Sequence, residues 1–574
     1  MKVQTAVIMS VWSSFMMVHP IEAQKTVGLV INNDAKAWPG YTLIAPKHYT
    51  STYLINNQGR IINSWTGCLY EPGQSVYLLE NGHLLRSCMV KGKLNSGGGE
   101  GGRIEEYDWN SNLVWQLDFS TDQYMQHHDI RPLPNGNIIM LVVEKKTYAQ
   151  VLAAGFDPAM LHPDIKTKDI FLPDYVAEIK PTYPVGGQVV WEWHVWDHLI
   201  QDHDASKANY GVVKDHPELI SVDGDQQQLP IFWNHMNSID YNPELEQIAL
   251  SVRGNSEVWI IDHGTTMAES KGHTGGRRGK GGDLLYRWGN PRAYDTGTVQ
   301  EQKLYQQHDA EWIRPGCPGY GDITTFNNGL GRNYSTIDEF TPPVDVNGSY
   351  LRVNGLAYRP TDMAWSYKAN PPSDLYSEAI SGAQRLPNGN TLICDGVHGI
   401  FLEVTYAGET VWKYINPVVQ TGPLGQGMPI PDDPARAGEK MNAVFRVNRY
   451  ATDYAAFIGR TLTPGSTIES YPSGIEEIKN ALPSGFDLEP NYPNPFNPRT
   501  TIAYQMTDPG QVSLAIYDVR GHLVAQLVDG YQTAGTHRVQ WDAATLSPPP
   551  ASGLFLYRLR YNGQELIRKM TLLK

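Results

Sequence analysis

The stretch "IRPLPNGNIIMLVVE", residues 130–144, decides the fold. Apolar residues alternate on both sides of Asn135-Gly136, the pattern of two antiparallel strands joined by a tight turn. The phrase recurs as "VYLLENGHLLRSC" (76–88), "IDYNPELEQIALSVR" (239–253) and "AQRLPNGNTLICDG" (383–396), with a distorted copy in "EWIRPGCPGYGDITTFNNG" (311–329). Other strand-like runs lie between the copies: "RIEEYDWNSNLVWQLDF" (103–119), "GGQVVWEWHVWDH" (186–198), "EVWIIDH" (257–263), "GDLLYRWGN" (282–290) and "FLEVTYAGETVWKYINP" (401–417). Units of roughly four strands, repeating over about 50–100 residues, predict an all-β protein built as a β-propeller. Five units are clear and six blades are expected, with long insertions such as 145–185 and 264–281. An array of β-sandwiches is the competing arrangement.

Composition agrees with an all-β chain. Of 574 residues, 54 are glycine, 39 proline, 32 tyrosine and 15 tryptophan, and long amphipathic helical patterns are scarce. The length exceeds what one core serves, so more than one domain is expected. A formal charge of −14 without a long basic run argues against a nucleic-acid partner.

The chain opens "MKVQTAVIMSVWSSFMMVHPIEAQ". Lys2, the mostly apolar run 6–18 and the small-residue site at "IEA" predict a secretory signal peptide over 1–23. A buried first strand is the alternative reading. No other stretch approaches the ~20 apolar residues of a membrane-spanning helix. Cys68, Cys88, Cys317 and Cys394 form no CxxC pair, which argues against a cysteine zinc site. A Cys68–Cys88 disulfide and buried free thiols both remain open.

The propeller domain is expected over 24–462. Residues 463–487 lose the repeat and read as a linker. Residues 488–574 form a compact run of alternating strands, the pattern of a small C-terminal β-sandwich. The segments "NYPNPFNP" (491–498), "IYDVRG" (516–521), "GLFLYRL" (553–559) and the closing Lys569-Met570 resemble the C-terminal sorting domain of the type IX secretion system. That resemblance implies that the secretion machinery is a partner and that the chain is exported through the periplasm of a Gram-negative bacterium. It would then be released or held at the cell surface.

The turns supply a frame for chemistry. Counting back seven residues from Asn135, Asn242 and Asn388, and from Pro315 in the distorted copy, reaches His128, His235, Ser381 and His308; from Asn81 it reaches Gln74. Three of five units thus carry histidine at one nominal place, and equivalent places in a propeller converge at one mouth of its channel. A lone histidine at a strand start more simply bonds to a neighbouring blade, but no rule of turn formation requires three. A one-residue slip would exchange His127 for His128. His128 is favoured because it precedes Asp129 as His308 precedes Asp309. Arg253, at the end of the apolar strand following His235, adds a planar fork for anionic oxygens; a structural salt bridge is its plainer reading. Histidine can act as nucleophile, acid or base near neutral pH.

Together "HHDIRPLPNGNIIML", "NHMNSIDYNPELEQIALSVRGNSEVWIID", "QQHDAEWI…TTFNNG" and "SGAQRLPNGNTLICDGVHGIFLEVTYAGETVWKYINP" resemble the bacterial aryl-sulfate sulfotransferases over roughly residues 25–460. The resemblance implies a six-bladed propeller that moves a sulfuryl group from a phenolic sulfate ester to a phenol acceptor, without a nucleotide donor or other cofactor. The family order histidine, histidine, arginine, histidine is met by His128, His235, Arg253 and His308, the last being transiently sulfated. Asn328, in "FNNG", is expected to line the substrate site; a plain turn asparagine is the alternative. His308 is the expected nucleophile, with Arg253, His128 and His235 around the sulfuryl oxygens. The distorted turn after His308 points the same way, because departures from a repeat gather at functional sites.

Three other functions compete. A quinone-dependent dehydrogenase would need an acidic calcium site, and no such cluster is visible in the sequence. A secreted ligand-binding propeller leaves the histidines and Arg253 unexplained. A metal-dependent hydrolase or lyase could use the three histidines as ligands.

Overall fold

The structure is a computed structural model describing residues 25–90, 94, 99–470 and 486–573, apart from 507, 509, 533–534, 547–548 and 562–563. The expected signal peptide and most of the expected linker lie outside the described residues. The chain divides into two compact units, Met1–Ser470 and Tyr471–Lys574.

The first unit is a succession of small antiparallel sheets. Sheet one pairs Pro72–Leu78, Leu84–Met89, Gly102–Tyr107 and Leu113–Asp118 in order, and sheet two Tyr124–Pro132, Ile138–Glu144, Asp174–Pro181 and Gly187–His194. Sheet three pairs Met236–Asn242, Gln247–Val252, Glu257–Asp262 and Tyr286–Trp288, and sheet four His308–Trp312, Ile323–Asn327, Thr336–Phe340 and Trp365–Tyr367. Sheet five runs Gly382–Arg385, Thr391–Asp395, Ile400–Val404 and Thr410–Ile415, with the N-terminal strand Gly28–Asn32 on its far edge. These five contain the five phrases read in the sequence, and each Asn-Gly phrase is the hairpin between a first and a second strand.

Sheet six has no such phrase. It joins Asn448–Ala451 to Gly40–Ile44, Thr52–Asn56 and Ile61–Trp65, so the two ends of the unit share one sheet. Residues 463–470 stay with this unit: Thr467 bridges Arg60, Ser470 bridges Gly425, and Ile468 is buried.

Side chains between neighbouring sheets make the core. Trp191, Trp193 and Trp233 pack with Ile239, Leu250 and Trp259 between sheets two and three. Val258, Ile260 and Trp288 meet Trp312 and Phe340 between sheets three and four. All four cysteines are free and buried, so no Cys68–Cys88 bridge forms. Cys88 instead lies 3.1 Å from the Glu105 carboxylate.

The second unit has two sheets. Asp487–Leu488, Arg499–Met506 and Gly535–Asp542 form one; Leu523–Gln532, Gly510–Asp518, Gly553–Tyr561 and Gln564–Leu572 form the other. Leu488, Phe496, Ile502, Tyr504, Trp541, Tyr557 and Met570 bury one shared core between them.

Candidate active site

A ladder of bonds links the first strands and tests the counted frame. Ser75 Oγ accepts from Ile130 N at 3.2 Å, Asp129 Oδ2 from Ile239 N at 3.1 Å, Ser238 Oγ from Ala310 N at 2.8 Å, and Asp309 Oδ2 from Ala383 N at 2.9 Å. Each acceptor follows a frame residue, which makes Gln74, His128, Asn237 and His308 equivalent. His235 therefore sits two residues ahead of the frame. The cause is the turn: Asn242 is still paired, with Gln247, whereas Asn135 lies inside the loop closed by Pro132 and Ile138. The counting from Asn242 was out of register.

His235 reaches the cluster nonetheless. Its ring centroid is 5.0 Å from that of His128 and 4.5 Å from Phe232. Backbone conformation aims these rings. His128 has φ 45° and His235 φ 50°, in the left-handed region that side chains other than glycine rarely adopt. His128 occupies an irregularity in the pairing of Tyr124–Pro132 with Ile138–Glu144, and such bulges redirect side chains. Gly99 makes room: its carbonyl accepts from His128 N at 3.1 Å, and a Cβ there would stand 1.8 Å from the imidazole.

His127 and His128 play different parts. His127 Nε2 lies 2.8 Å from Asp174 Oδ1, and its Nδ1 lies 2.8 Å from His128 Nδ1. The carboxylate contact is close but misses hydrogen-bond alignment, so its effect is electrostatic. It favours the proton on His127 Nε2. His128 Nδ1 then donates to His127, leaving the His128 Nε2 lone pair for the cluster. His127 is thus a support behind His128.

His308 is fixed more firmly. Asn328 donates both amide hydrogens, to Ser377 O at 2.8 Å and Ile380 O at 3.1 Å, so its Oδ1 can only accept. That oxygen is 2.8 Å from His308 Nδ1, which must carry the hydrogen. The lone pair of His308 is therefore on Nε2, where it accepts from Ile380 N at 3.2 Å. Ile380 and Ser381 have φ 47° and 85°. For a β-branched residue such as Ile380 that backbone is strained, and strain of this kind gathers at functional sites. Asn328 is fully buried, and both its amide hydrogens and its carbonyl oxygen are engaged by protein groups.

Electrostatics keep the cluster uncharged except for one group. Burial pulls His308 down to about 3, with the Arg253 charge adding to it and the hydrogen bonds its ring donates to Asn328 and the Gln306 backbone opposing it. Burial, then neighbouring cationic groups, holds His128 and His235 well below the ordinary histidine value. Arg253 has only its backbone tied, donating to His235 O at 3.2 Å. Among the described residues its guanidinium has no ion-pair partner, and desolvation alone lowers it to about 10, so it stays charged at neutral pH. A half-buried arginine with no ion-pair partner among the described residues, beside three neutral imidazoles, has the chemistry to hold an anion next to nucleophiles.

Below the rings is a charged core that the sequence reading missed. Arg446 Nη1 lies 2.6 Å from Asp309 Oδ1 and Nη2 lies 2.7 Å from Asp129 Oδ1, with Tyr77 OH bonded to both Arg446 and Asp129. The residue after His128 and the residue after His308 are held by one guanidinium. The paired His-Asp phrase thus has a structural origin: the histidine faces the cluster, and the aspartate faces Arg446 and clamps the next sheet. Tyr77 also lines a cavity of about 720 Å³ with Arg131, Glu311 and Arg314, which holds none of the three histidines. Gln74, the frame residue of sheet one, lines another of about 610 Å³ with Pro72, Met89, Val419, Arg436 and Met441.

Comparisons with known proteins identify the families that this chain matches. The profile of the family described as Arylsulfotransferase (ASST) matches residues 41–421, and that of the secretion system C-terminal sorting domain matches 491–572. The second match marks a protein exported to the exterior or cell surface of a Gram-negative bacterium. No curated protein matches the chain. Among solved structures it is similar to a protein of unknown function from Bacteroides caccae, at 12% identity and TM-score 0.36, covering 71% of this chain and 98% of that one. A streptogramin B lyase is similar at 8% identity and TM-score 0.32, covering 69% and 85%. The periplasmic gluconolactonase of Pseudomonas aeruginosa is similar at 8% identity and TM-score 0.30, covering 87% and 99%.

Proposed function

The chain belongs to the arylsulfotransferase (ASST) family, and from that premise we propose that it transfers a sulfuryl group between phenols through a sulfated His308. The observation that carries the reading is Arg253, charged and without an ion-pair partner among the described residues, beside a neutral His308 imidazole. The sheets of the first unit are read as a six-bladed propeller, with the cluster at one end of its central channel.

In the first half-reaction the bond from Ile380 N to His308 Nε2 opens, and the lone pair it frees attacks the sulfur of a phenolic sulfate ester. The N–S bond forms, the S–O bond to the aryl group breaks, and the phenolate leaves with the electron pair. Nδ1 keeps its hydrogen, so the sulfated ring carries positive charge, which the Asn328 carbonyl stabilises. Arg253 holds the sulfuryl oxygens as charge shifts among them. In the second half-reaction His128 or His235 takes the proton of the acceptor phenol as its oxygen attacks sulfur. The N–S pair returns to Nε2, and the proton passes to the phenolate released earlier. In this scheme protein groups supply every step.

Donor without acceptor tests this directly. Mass spectrometry after incubation with a chromogenic phenyl sulfate should find one added sulfuryl group, about 80 Da, on the peptide containing His308. His308→Ala should lose both the adduct and phenol release. An adduct mapped to His128 or His235, or near-normal transfer by His308→Ala, overturns the assignment.

A further inference from the structure

A second cluster of metal-type ligands stands apart from the sulfotransfer site. His198 closes the turn Val195–His198 that follows the last strand of sheet two. His273 and Asp283 belong to the insertion between Glu257–Asp262 and Tyr286–Trp288 of sheet three. His198 Nδ1 is 2.9 Å and His273 Nδ1 is 2.7 Å from the same oxygen, Asp283 Oδ1, and the three ligand atoms lie within 4.8 Å of one another.

The hydrogen bonding of His198 sets the chemistry. Its Nε2 lies 3.0 Å from Ser270 O, which can only accept, so Nε2 carries the hydrogen. In the neutral ring Nδ1 is then a bare lone pair, aimed at a carboxylate oxygen that is itself an acceptor. Two lone pairs do not face each other at 2.9 Å without something positive between them. Either a proton or a metal cation fills that role, and His273 aims a third nitrogen at the same point.

We propose that His198, His273 and Asp283 bind one divalent cation of the zinc class, fastening the 264–281 insertion to sheet two. Two imidazole nitrogens and one carboxylate suit zinc, whereas calcium and magnesium favour all-oxygen sets. An imidazole whose outer N–H is held by a carbonyl is the usual support of a metal-bound histidine. The ring is also held face to face by Trp193, with centroids 5.5 Å apart and planes 9° apart. His198 is fully buried and the Asp283 side chain 8% exposed, but that of His273 is 59% exposed, which leaves an open side for metal and a water ligand. Ligand atoms about 2.0–2.1 Å from a tetrahedral zinc stand roughly 3.3 Å apart, so the contacts must open by about half an ångström. The exposed His273 is free to make that movement, and the His198–Asp283 contact must lengthen with it. Among the described residues the other such cluster, His48 with Asp433 and Glu439, differs because Lys47 and Arg436 already pair with Glu439.

The test uses the full chain without a polyhistidine tag, stripped with a chelator and titrated calorimetrically with zinc chloride. One equivalent should bind saturably and raise the thermal midpoint. His273→Ala and Asp283→Asn should each weaken binding at least about tenfold and abolish the shift, the least expected when a ligand rather than its support is lost. His48→Ala should change neither. His273 is exposed, so its variant keeps the test valid if the buried sites tolerate no change. Absence of stoichiometric uptake overturns the proposal and leaves a protonated His198 as the occupant. Equal uptake by His273→Ala and Asp283→Asn, or preference for calcium over zinc, overturns it as well.

Discussion

Replacing Arg446 with methionine tests whether one buried guanidinium sets the geometry of two site histidines. Arg446 is 3% exposed in its side chain and meets carboxylates at 2.6 and 2.7 Å. Burial pushes Asp309 up to about 7, with Arg446 as the main group opposing the rise. Removing the cation leaves Asp129 and Asp309 buried and uncompensated, and breaking such a pair costs about 3–5 kcal/mol. The urea midpoint should fall accordingly. Asp129 and Asp309 also clamp Ile239 and Ala383 of the next sheets, and each directly follows a site histidine. Misplacement of about 1 Å at reacting groups can cost on the order of 10²-fold, so His308 sulfation in a single turnover should slow by about that factor. Adding Asp129→Asn and Asp309→Asn to Arg446→Met should restore part of the stability, because no buried charge then remains. Arg446→Met with stability within about 1 kcal/mol of wild type and a turnover rate within about threefold would refute the reasoning, since such losses fall far below those of a broken buried pair.

Further outcomes are expected. Arg253→Ala should slow both phenol release and transfer by on the order of 10²-fold, as for a lost oxyanion donor, measured with a chromogenic donor. Asn328→Ala should reduce kcat by about 10²-fold with little change in KM, because His308 loses the bond that fixes its tautomer and position; a pure KM effect in steady-state kinetics would instead return Asn328 to substrate binding. His308 is held at about 3 in the fold. His308 sulfation should therefore stay flat from about pH 5 to about pH 8, where an unperturbed histidine would titrate near 6.5. The same shift bears on stability: the unfolded ring binds a proton that the folded one refuses. Its contribution is full above about 6.5 and erodes as pH falls from there toward the folded value, so thermal midpoints should drop below about pH 6.5. Deleting residues 471–574, a separate compact unit, should leave activity in purified protein intact while abolishing export from the native host; loss of purified activity would sink that division.

The sequence by itself determined whatever is local. Asn135-Gly136 and its copies encode hairpins because turn chemistry and alternation act over a dozen residues, and five of the sheets follow from them. The sorting domain and the pairing of His128 with Asp129 and His308 with Asp309 were legible for the same reason. What the tertiary structure decided involves residues that meet only across the fold. Sheet six takes strands from both ends of its unit, so no continuous phrase announces it. Counting from Asn242 misplaced His235 by two residues, because which residues pair across a turn is set by the partner strand, not by the turn residue. Arg446 lies 317 positions from Asp129, and no spacing rule connects them. That Asn328 holds a proton on Nδ1 of His308, and that Arg253 lacks a carboxylate among the described residues, are facts of packing. Burial in a shared low-dielectric core, rather than the identity of any one residue, makes those imidazoles neutral, whereas the guanidinium keeps its charge because burial lowers it only to about 10.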